Sequence, residues 1–217
     1  MITDEKTTVF LIDGDPLTHK TVAALTDSMG LLLVPFTTAG GFLEVYDTRR
    51  RGCLVVDLRL PDMTGPELFE RLANRHKYRP ATVMLAAPED IHAAIAAVRA
   101  GVIDFLEKPV EPRQLLEQIQ RAVDADRDAY VRYEREKKMD EICRLLSERE
   151  KQVLAMLLLG KSNKQIAAEL QLSFKTISWH RVTAMRKLGV DSILELVGKN
   201  YPDMVAHFQS APIVKAA

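Results

Sequence analysis

Three side chains that follow apolar runs could together handle a phosphoryl group. Asp57 ends one such run, and Pro61 and Gly65 then break the chain, so the run is too short for a helix and indicates a buried strand. Asp13 and Lys108 also come at or just after the ends of apolar runs. An aspartate carboxylate can act as a nucleophile, lysine supplies positive charge to phosphate, and paired carboxylates suit a hard cation such as Mg²⁺.

Strand and helix patterns alternate five times over the first half of the chain. This alternation predicts a doubly wound, flavodoxin-like sheet of five parallel strands with helices on both faces. The predicted strands cover residues 8–12, 31–36, 53–57, 81–86 and 102–106. Because the carboxyl ends of parallel strands meet at one edge, Asp13, Asp57 and Lys108 converge if strands one, three and five are near neighbours.

Charge divides the 217-residue chain into an acidic front and a basic back. Residues 1–110 carry 12 basic and 15 acidic side chains, whereas residues 147–200 carry 9 and 5. The basic back module suggests a nucleic-acid surface. Between them, residues 111–146 carry a thin apolar stripe at helical spacing, which predicts a long interdomain helix that pairs in a dimer, or else a solvated linker.

The last part of the chain has the pattern of four short helices. Ser147 with Glu150, and Ser162 with Gln165, form two capping boxes, and Ser173 caps a third helix. Short helices joined by tight turns are typical of a helix-turn-helix domain. The third helix has basic residues at both ends, which could bind phosphates, and smaller or apolar residues between them, which could reach base edges.

Two resemblances follow from these motifs. Residues 8 to about 120 resemble the receiver domain of a two-component response regulator through three blocks: Ile12-Asp13, Leu54 to Gly65, and Asp104 to Pro109. The segment Leu146 to Gly189 resembles the LuxR/GerE helix-turn-helix. The whole chain is therefore similar to a FixJ/NarL-type response regulator, with a receiver at 1–120, a linker helix at 121–146, a DNA-binding domain at 147–200 and a tail at 201–217.

The receiver resemblance implies a role for each residue of the cleft. Asp57 is the expected phosphoacceptor, Lys108 the partner of the phosphoryl oxygens, and Asp13 a member of the acidic pocket, with Asp15 nearby. A Mg²⁺ ion is expected on Asp13, Asp57 and the backbone carbonyl of Arg59. Ala86 and Phe105 occupy the positions of the two switch residues.

The chain departs from this family at two positions. Gly14 replaces the second acid of the pocket, which should weaken Mg²⁺ binding. Ala86 replaces a threonine or serine whose hydroxyl contacts the phosphoryl group, so the usual contact that biases the active state is lost. The receiver is therefore expected to be atypical, and an alternative is a phosphorylation-independent transcription factor gated by dimerisation or another signal.

The helix-turn-helix resemblance implies a set of residues that contact double-stranded DNA. Ser178, Trp179 and Val182 are expected at the bases, and His180 is either a backbone contact or a packing residue. The full expected set is Lys164, Lys175, Thr176, Ser178, Trp179, His180, Arg181, Val182 and Lys187.

The sequence also limits what else the protein could be. Its longest apolar run, residues 153–159, is far shorter than a bilayer requires, and no signal-like amino terminus precedes it, so a cytoplasmic protein with no membrane contact is expected. Cys53 and Cys143 match no metal spacing. No general base accompanies Asp57, so an enzyme is not expected.

The expected partners are DNA, a sensor histidine kinase and a second copy of the chain. A protein adaptor that never binds DNA is a remaining alternative.

Overall fold

A computed structural model describes residues 7–198, except for the side chains of Ile91 and Val197. The chain divides after Tyr133 into two compact units. The predicted tail at 201–217 lies outside the described residues. The strands are β1 (Thr8–Ile12), β2 (Leu32–Phe36), β3 (Gly52–Asp57), β4 (Ala81–Ala86) and β5 (Asp104–Glu107). The helices of the first unit are α1 (Pro16–Met29), α2 (Ala39–Val45), α3 (Gly65–Arg75), α4 (Ile91–Arg99) and the start of α5 (Pro112–Leu145).

The five strands form one parallel sheet in the order β2-β1-β3-β4-β5, which confirms the predicted fold. Residues alternate between the two faces of each strand. In β1, for example, Phe10 and Ile12 pack into one apolar core, whereas Val9 and Leu11 pack into another on the opposite face. Strand β5 is not a neighbour of β3, because β4 lies between them. Lys108 therefore reaches across the end of β4 to join the two aspartates.

The local signals in the sequence account for most of the helix ends. Helix α1 begins at Pro16 and ends at Met29. Gly30 follows it with a φ of 68°, the left-handed conformation that glycine adopts at low cost. Residues 88–90 form a separate 3₁₀ turn directly before α4.

The first part of α5 is anchored to the sheet by the buried carboxylate of Asp126, which no pattern in the sequence indicated. Asp126 is fully buried and accepts hydrogen bonds from the Tyr78 hydroxyl at 2.5 Å and from the Gly52 amide at 3.1 Å. The rings of Tyr130 and Tyr133 lie 5.1 and 5.4 Å from that of Tyr78. We call Asp126, Tyr78, Gly52, Tyr130 and Tyr133 the Asp126 cluster; it holds the helix at the amino-terminal edge of the sheet, where β3 starts.

The second unit contains the last turns of α5 and four short helices: α6 (Glu148–Leu158), α7 (Asn163–Leu170), α8 (Phe174–Leu188) and α9 (Ile193–Gly198). Both predicted capping boxes are present, and Ser173 accepts a hydrogen bond from the Thr176 amide. Leu154, Ile166 and Ile177, one from each of the first three of these helices, are fully buried in one apolar core. This packing fixes α8 against α6 and α7 and leaves its opposite face exposed.

Candidate phosphorylation site and DNA-binding surface

Lys108 joins the two aspartates that the sequence predicted to meet. Its ammonium donates to Asp13 Oδ2 at 2.8 Å and to Asp57 Oδ2 at 2.5 Å. Asp13 is almost fully buried, whereas the side chains of Asp57 and Lys108 are 18% and 24% exposed. Burial lowers the pKa of Lys108, but its hydrogen bonds to the two carboxylates outweigh this effect and hold the pKa above its usual value. The lysine therefore stays charged beside Asp57.

Backbone amides fix the remaining oxygen of each carboxylate. Asp13 Oδ1 accepts from the amide of Asp15 at 2.7 Å, and Asp57 Oδ1 accepts from the amide of Arg59 at 3.0 Å. Both aspartates thus face a cleft of about 540 Å³ at the carboxyl edge of the sheet. The cleft is lined by Asp13, Gly14, Asp15, Pro16, Asp57, Arg59, Leu60 and Pro61. An incoming phosphoryl group would find Asp57 partly exposed and oriented towards it.

Asp15 lies at the rim of the cleft, but its carboxylate caps α1. It accepts from the amides of Leu17 and Thr18, both at 3.1 Å, and from the Thr18 hydroxyl at 2.9 Å. These hydrogen bonds, led by the one from Leu17, lower the pKa of Asp15. The carboxylate is therefore engaged by the helix. Within residues 7–198, the carboxylates that accept hydrogen bonds from Lys108 are those of Asp13 and Asp57.

The missing second acid is not a consequence of limited space. A Cβ atom added at Gly14 would meet no atom within 4 Å among the described residues. The backbone there also avoids the left-handed region that would require glycine. Neither the space for a Cβ atom nor the backbone conformation therefore excludes an aspartate at this position.

The two switch positions lie where the sequence placed them. Ala86 ends β4 and is buried, and its carbonyl accepts from the backbone amide of Lys108 at 2.8 Å. Its methyl group offers no hydrogen bond to a phosphoryl oxygen. Phe105, in β5, is partly buried against the apolar core on the side of the sheet that carries Phe10. Its movement on activation stays a prediction.

Arg59 has a partner that the sequence did not indicate. Its guanidinium Nη2 lies 2.6 Å from Asp90 Oδ1, and Asp90 belongs to the 3₁₀ turn after β4. The two residues are 31 positions apart in the sequence, so only the folded chain reveals this ion pair.

On the second unit, the exposed face of α8 carries the central residues of the predicted DNA surface. Lys175, Trp179 and Val182 point to solvent; Trp179 and Val182 are 61% and 65% exposed. Lys164 is also exposed, on α7. Arg181 is only partly exposed. The arrangement places a large ring, a branched apolar side chain and a cation side by side, which is a surface suited to base edges and phosphates.

Four predicted residues of this surface make contacts within the domain. The Thr176 hydroxyl lies 2.7 Å from that of Ser173, and the Ser178 hydroxyl accepts from Asn163 Nδ2 at 3.3 Å. The His180 ring lies 5.0 Å from that of Trp179, and its Nδ1 is buried with no partner among residues 7–198. The Lys187 ammonium donates to Glu150 at 2.7 Å.

The Lys187–Glu150 pair stabilises the domain itself. The Glu150 side chain is 3% exposed and also completes the capping box with Ser147. Burial raises the pKa of Glu150, but the hydrogen bonds from Lys187 and Ser147 outweigh it and leave the pKa below its usual value. Lys187 therefore braces α8 against the start of α6, a use that its position in a basic helix end did not reveal.

Comparisons with known proteins identify the family of each of the two domains. The family model for the response regulator receiver domain matches residues 9–120, and the model for bacterial regulatory proteins of the luxR family matches residues 144–199. FixJ, a transcriptional regulatory protein of Rhizobium meliloti, is 33% identical over 190 residues, which cover 88% of this chain and 93% of FixJ. The chain belongs to the FixJ-type response regulators. TodT, a response regulator protein of Pseudomonas putida F1, is 33% identical over 196 residues, covering 90% of this chain and 86% of TodT.

Solved structures of response regulators have the same fold. The low-resolution structure of the response regulator StyR is 36% identical and superposes with a TM-score of 0.73, covering 89% of this chain and 98% of StyR. Full-length FixJ from B. japonicum is 32% identical, with a TM-score of 0.52, covering 93% and 98%. The protein is thus a DNA-binding transcriptional regulator whose receiver domain controls a LuxR-type helix-turn-helix domain.

Membership of the FixJ-type regulators also bears on partners and cofactors. A receiver implies interaction with a kinase, a LuxR-type domain implies interaction with DNA, and receivers generally bind Mg²⁺ at the phosphorylation site. These relatives do not favour the phosphorylation-independent alternative, and an atypical receiver stays a prediction.

Within residues 7–198, no cluster of three or more acidic, histidine or cysteine side chains could hold a metal ion. No described helix is long and apolar enough to cross a membrane.

Proposed function

We propose that Asp57 accepts a phosphoryl group from a sensor histidine kinase. The carboxylate oxygen attacks phosphorus, the bond from phosphorus to the donor breaks, and the donor leaves with that electron pair and is protonated. The observation that carries the proposal is the Lys108 ammonium, which lies 2.5 Å from Asp57 and is already held by Asp13. Its charge offsets the negative charge that accumulates as the acyl phosphate forms.

The residues present fit a weak Mg²⁺ site. Asp13, Asp57 and the backbone carbonyl of Arg59 would hold the ion, and the cleft leaves room for the waters that Mg²⁺ retains. The ion would neutralise phosphoryl oxygens. Because Asp15 caps α1, the site offers one acid of the pocket in addition to the acceptor, which supports the expectation of weak binding.

Phosphorylation can be tested by intact mass after incubation with acetyl phosphate and Mg²⁺. The expected result is one adduct of about 80 Da that is absent from Asp57→Asn. Gly14→Asp should lower the Mg²⁺ concentration needed for half-maximal labelling by several fold, because it adds the missing acid where space exists. An adduct that persists in Asp57→Asn would contradict the assignment of the acceptor.

We further propose that α8 lies in the major groove of double-stranded DNA and that two copies of the chain bind two half-sites. Trp179, Val182 and Ser178 would meet base edges, the first two through apolar contact with thymine methyl groups. The predicted backbone contacts are Lys164, Lys175, Thr176 and His180, and Lys187 would join them only at the expense of Glu150. Arg181 completes the predicted DNA-binding set. The proposed domains keep the bounds 1–120, 121–146 and 147–200.

This surface can be tested with duplexes obtained by selection from a random pool. Trp179→Ala should bind selected and random duplexes with nearly equal affinity, whereas Lys175→Ala should weaken binding to both and lower the salt dependence by about one charge. Leu194→Ala is a matched control, because Leu194 is 83% exposed and lies on α9. Unchanged sequence preference in Trp179→Ala would exclude its role at the bases.

A further inference from the structure

The ion pair between Arg59 and Asp90 connects the loop after β3 with the turn before α4. We propose that this pair is a switch: Arg59 leaves Asp90 for the phosphoryl group on Asp57, and the released Asp90 then caps α4. The inference rests on the proposed phosphorylation of Asp57. It supplies a link between the acceptor and α4 that Ala86, with no hydroxyl, cannot provide.

Arg59 is placed to sense the charge on Asp57. Its backbone amide donates to Asp57 Oδ1 at 3.0 Å, so the start of its side chain is fixed beside the acceptor. The side chain itself is 63% exposed, and its guanidinium forms an ion pair with Asp90. Little packing therefore opposes its rotation towards the cleft, which Arg59 also lines.

A phosphoryl group competes well for this guanidinium. Phosphorylation replaces one carboxylate charge by a group of about −1.5 to −2 with three acceptor oxygens. Arginine binds phosphate through two parallel hydrogen bonds, and such charge-assisted pairs are stronger than a single contact with a carboxylate. The bond to Asp90 involves one guanidinium nitrogen, Nη2.

Asp90 has a second role open to it. It is the residue directly before α4, where an aspartate normally accepts a hydrogen bond from the helix amides, yet its side chain makes no capping bond. The side chain is 11% exposed, and its Oδ2 is buried with no partner among the described residues. One oxygen is thus held by Arg59 and the other is unsatisfied, an arrangement that release from Arg59 would relieve.

The two roles of Asp90 exclude each other. While Arg59 holds the carboxylate, the first amides of α4 lack a side-chain acceptor, and the 3₁₀ turn at residues 88–90 interrupts the approach to the helix. After release, a rotation of Asp90 towards these amides completes the cap. The phosphorylation state of Asp57 would thereby set the order of the first turn of α4.

Hydrogen–deuterium exchange of residues 88–95 in the full-length protein tests this switch. Beryllofluoride with Mg²⁺ serves as the phosphoryl mimic, and fluorine NMR reports its uptake separately. In the parent chain, adduct formation should slow exchange at the start of α4 by roughly fivefold, the effect of one helix cap. Arg59→Gln should show slow exchange without the mimic and no further change with it, because Asp90 is already released. Asp90→Ala should exchange fast in both states, since it has neither the pair nor the cap.

Arg49→Gln is the matched control, because Arg49 is an exposed arginine paired with Asp47 away from the cleft, and it should behave as the parent does. Equal exchange in Arg59→Gln and the parent before the mimic is added would overturn the claim that the pair holds Asp90 away from α4. A parent-sized change in Arg59→Gln on adding the mimic would overturn the exchange of partners. A parent chain that takes up no beryllofluoride would instead overturn the proposed acceptor role of Asp57, and with it the phosphoryl step of the switch.

Discussion

Replacement of Asp126 by asparagine should change how the stability of the receiver depends on pH. Asp126 is fully buried, and burial, only partly offset by its hydrogen bond from Tyr78 and by the charge of Arg51, raises its pKa to about 6 from a usual 3.8. Asparagine can keep both contacts, since its carbonyl oxygen can accept from Gly52 and its amide group can donate to the Tyr78 oxygen. The substitution therefore removes the titration and preserves the packing.

The raised pKa of Asp126 determines whether the stability of the receiver rises or falls with pH. The folded state binds a proton more tightly than the unfolded state, so the stability that Asp126 contributes is fully present below about pH 4 and is lost as the pH rises through about 6. A difference of roughly two units between the pKa values of the folded and unfolded states corresponds to about 3 kcal/mol of unfolding free energy. The parent should thus lose up to about 3 kcal/mol relative to Asp126→Asn between pH 4 and pH 8.

Urea unfolding at a series of pH values measures this difference. Four of the five tyrosines, Tyr46, Tyr78, Tyr130 and Tyr133, lie in the first unit, so near-ultraviolet circular dichroism of tyrosine mainly follows the receiver. Trp179, the single tryptophan of the chain, lies in the second unit, and its fluorescence transition should not move. Asp128→Asn, an exposed aspartate on the same helix, is the control. A difference in the free energy of unfolding between the parent and Asp126→Asn that is the same at every pH would contradict the titration of Asp126.

Two further predictions concern the second unit. Leu154→Ala removes a fully buried side chain from the core of the four helices and should lower the free energy of unfolding by about 2–5 kcal/mol, measured by Trp179 fluorescence while the tyrosine signal stays unchanged. Glu150→Gln breaks the ion pair with Lys187 and should destabilise the same transition at neutral pH. The pKa of Glu150 lies below 4.5 in the folded state, so the stability that the parent has over Glu150→Gln should vanish as the pH falls below that value. A stability difference that persists in acid would contradict a charged Glu150 paired with Lys187.

Local signals in the sequence predicted the parts of the fold that depend on neighbouring residues. The apolar run before Asp57 and the break at Pro61 define β3, and the capping boxes at Ser147 and Ser162 mark the starts of α6 and α7. The meeting of Asp13, Asp57 and Lys108 also followed from the rule that parallel strands share a carboxyl edge.

Contacts between distant residues could not be predicted in this way. Asp126 lies 48 residues from Tyr78 in a helix whose other charges are mostly exposed, so nothing in the pattern separates it from its neighbours. Lys187 was predicted to contact DNA from its place at a basic helix end, and that pattern gave no sign of its buried partner Glu150. Asp15 could equally have completed the acidic pocket, and only the folded backbone shows that it caps α1.

The DNA affinity of the full-length protein with and without phosphorylation tests the central claim most directly. Binding to a selected duplex should strengthen at least tenfold when acetyl phosphate and Mg²⁺ are added to the parent chain, and Asp57→Asn should show no such change. An equal gain in affinity for the parent and Asp57→Asn, or no gain in a parent chain that carries the phosphoryl adduct, would contradict a receiver that acts on DNA binding through Asp57.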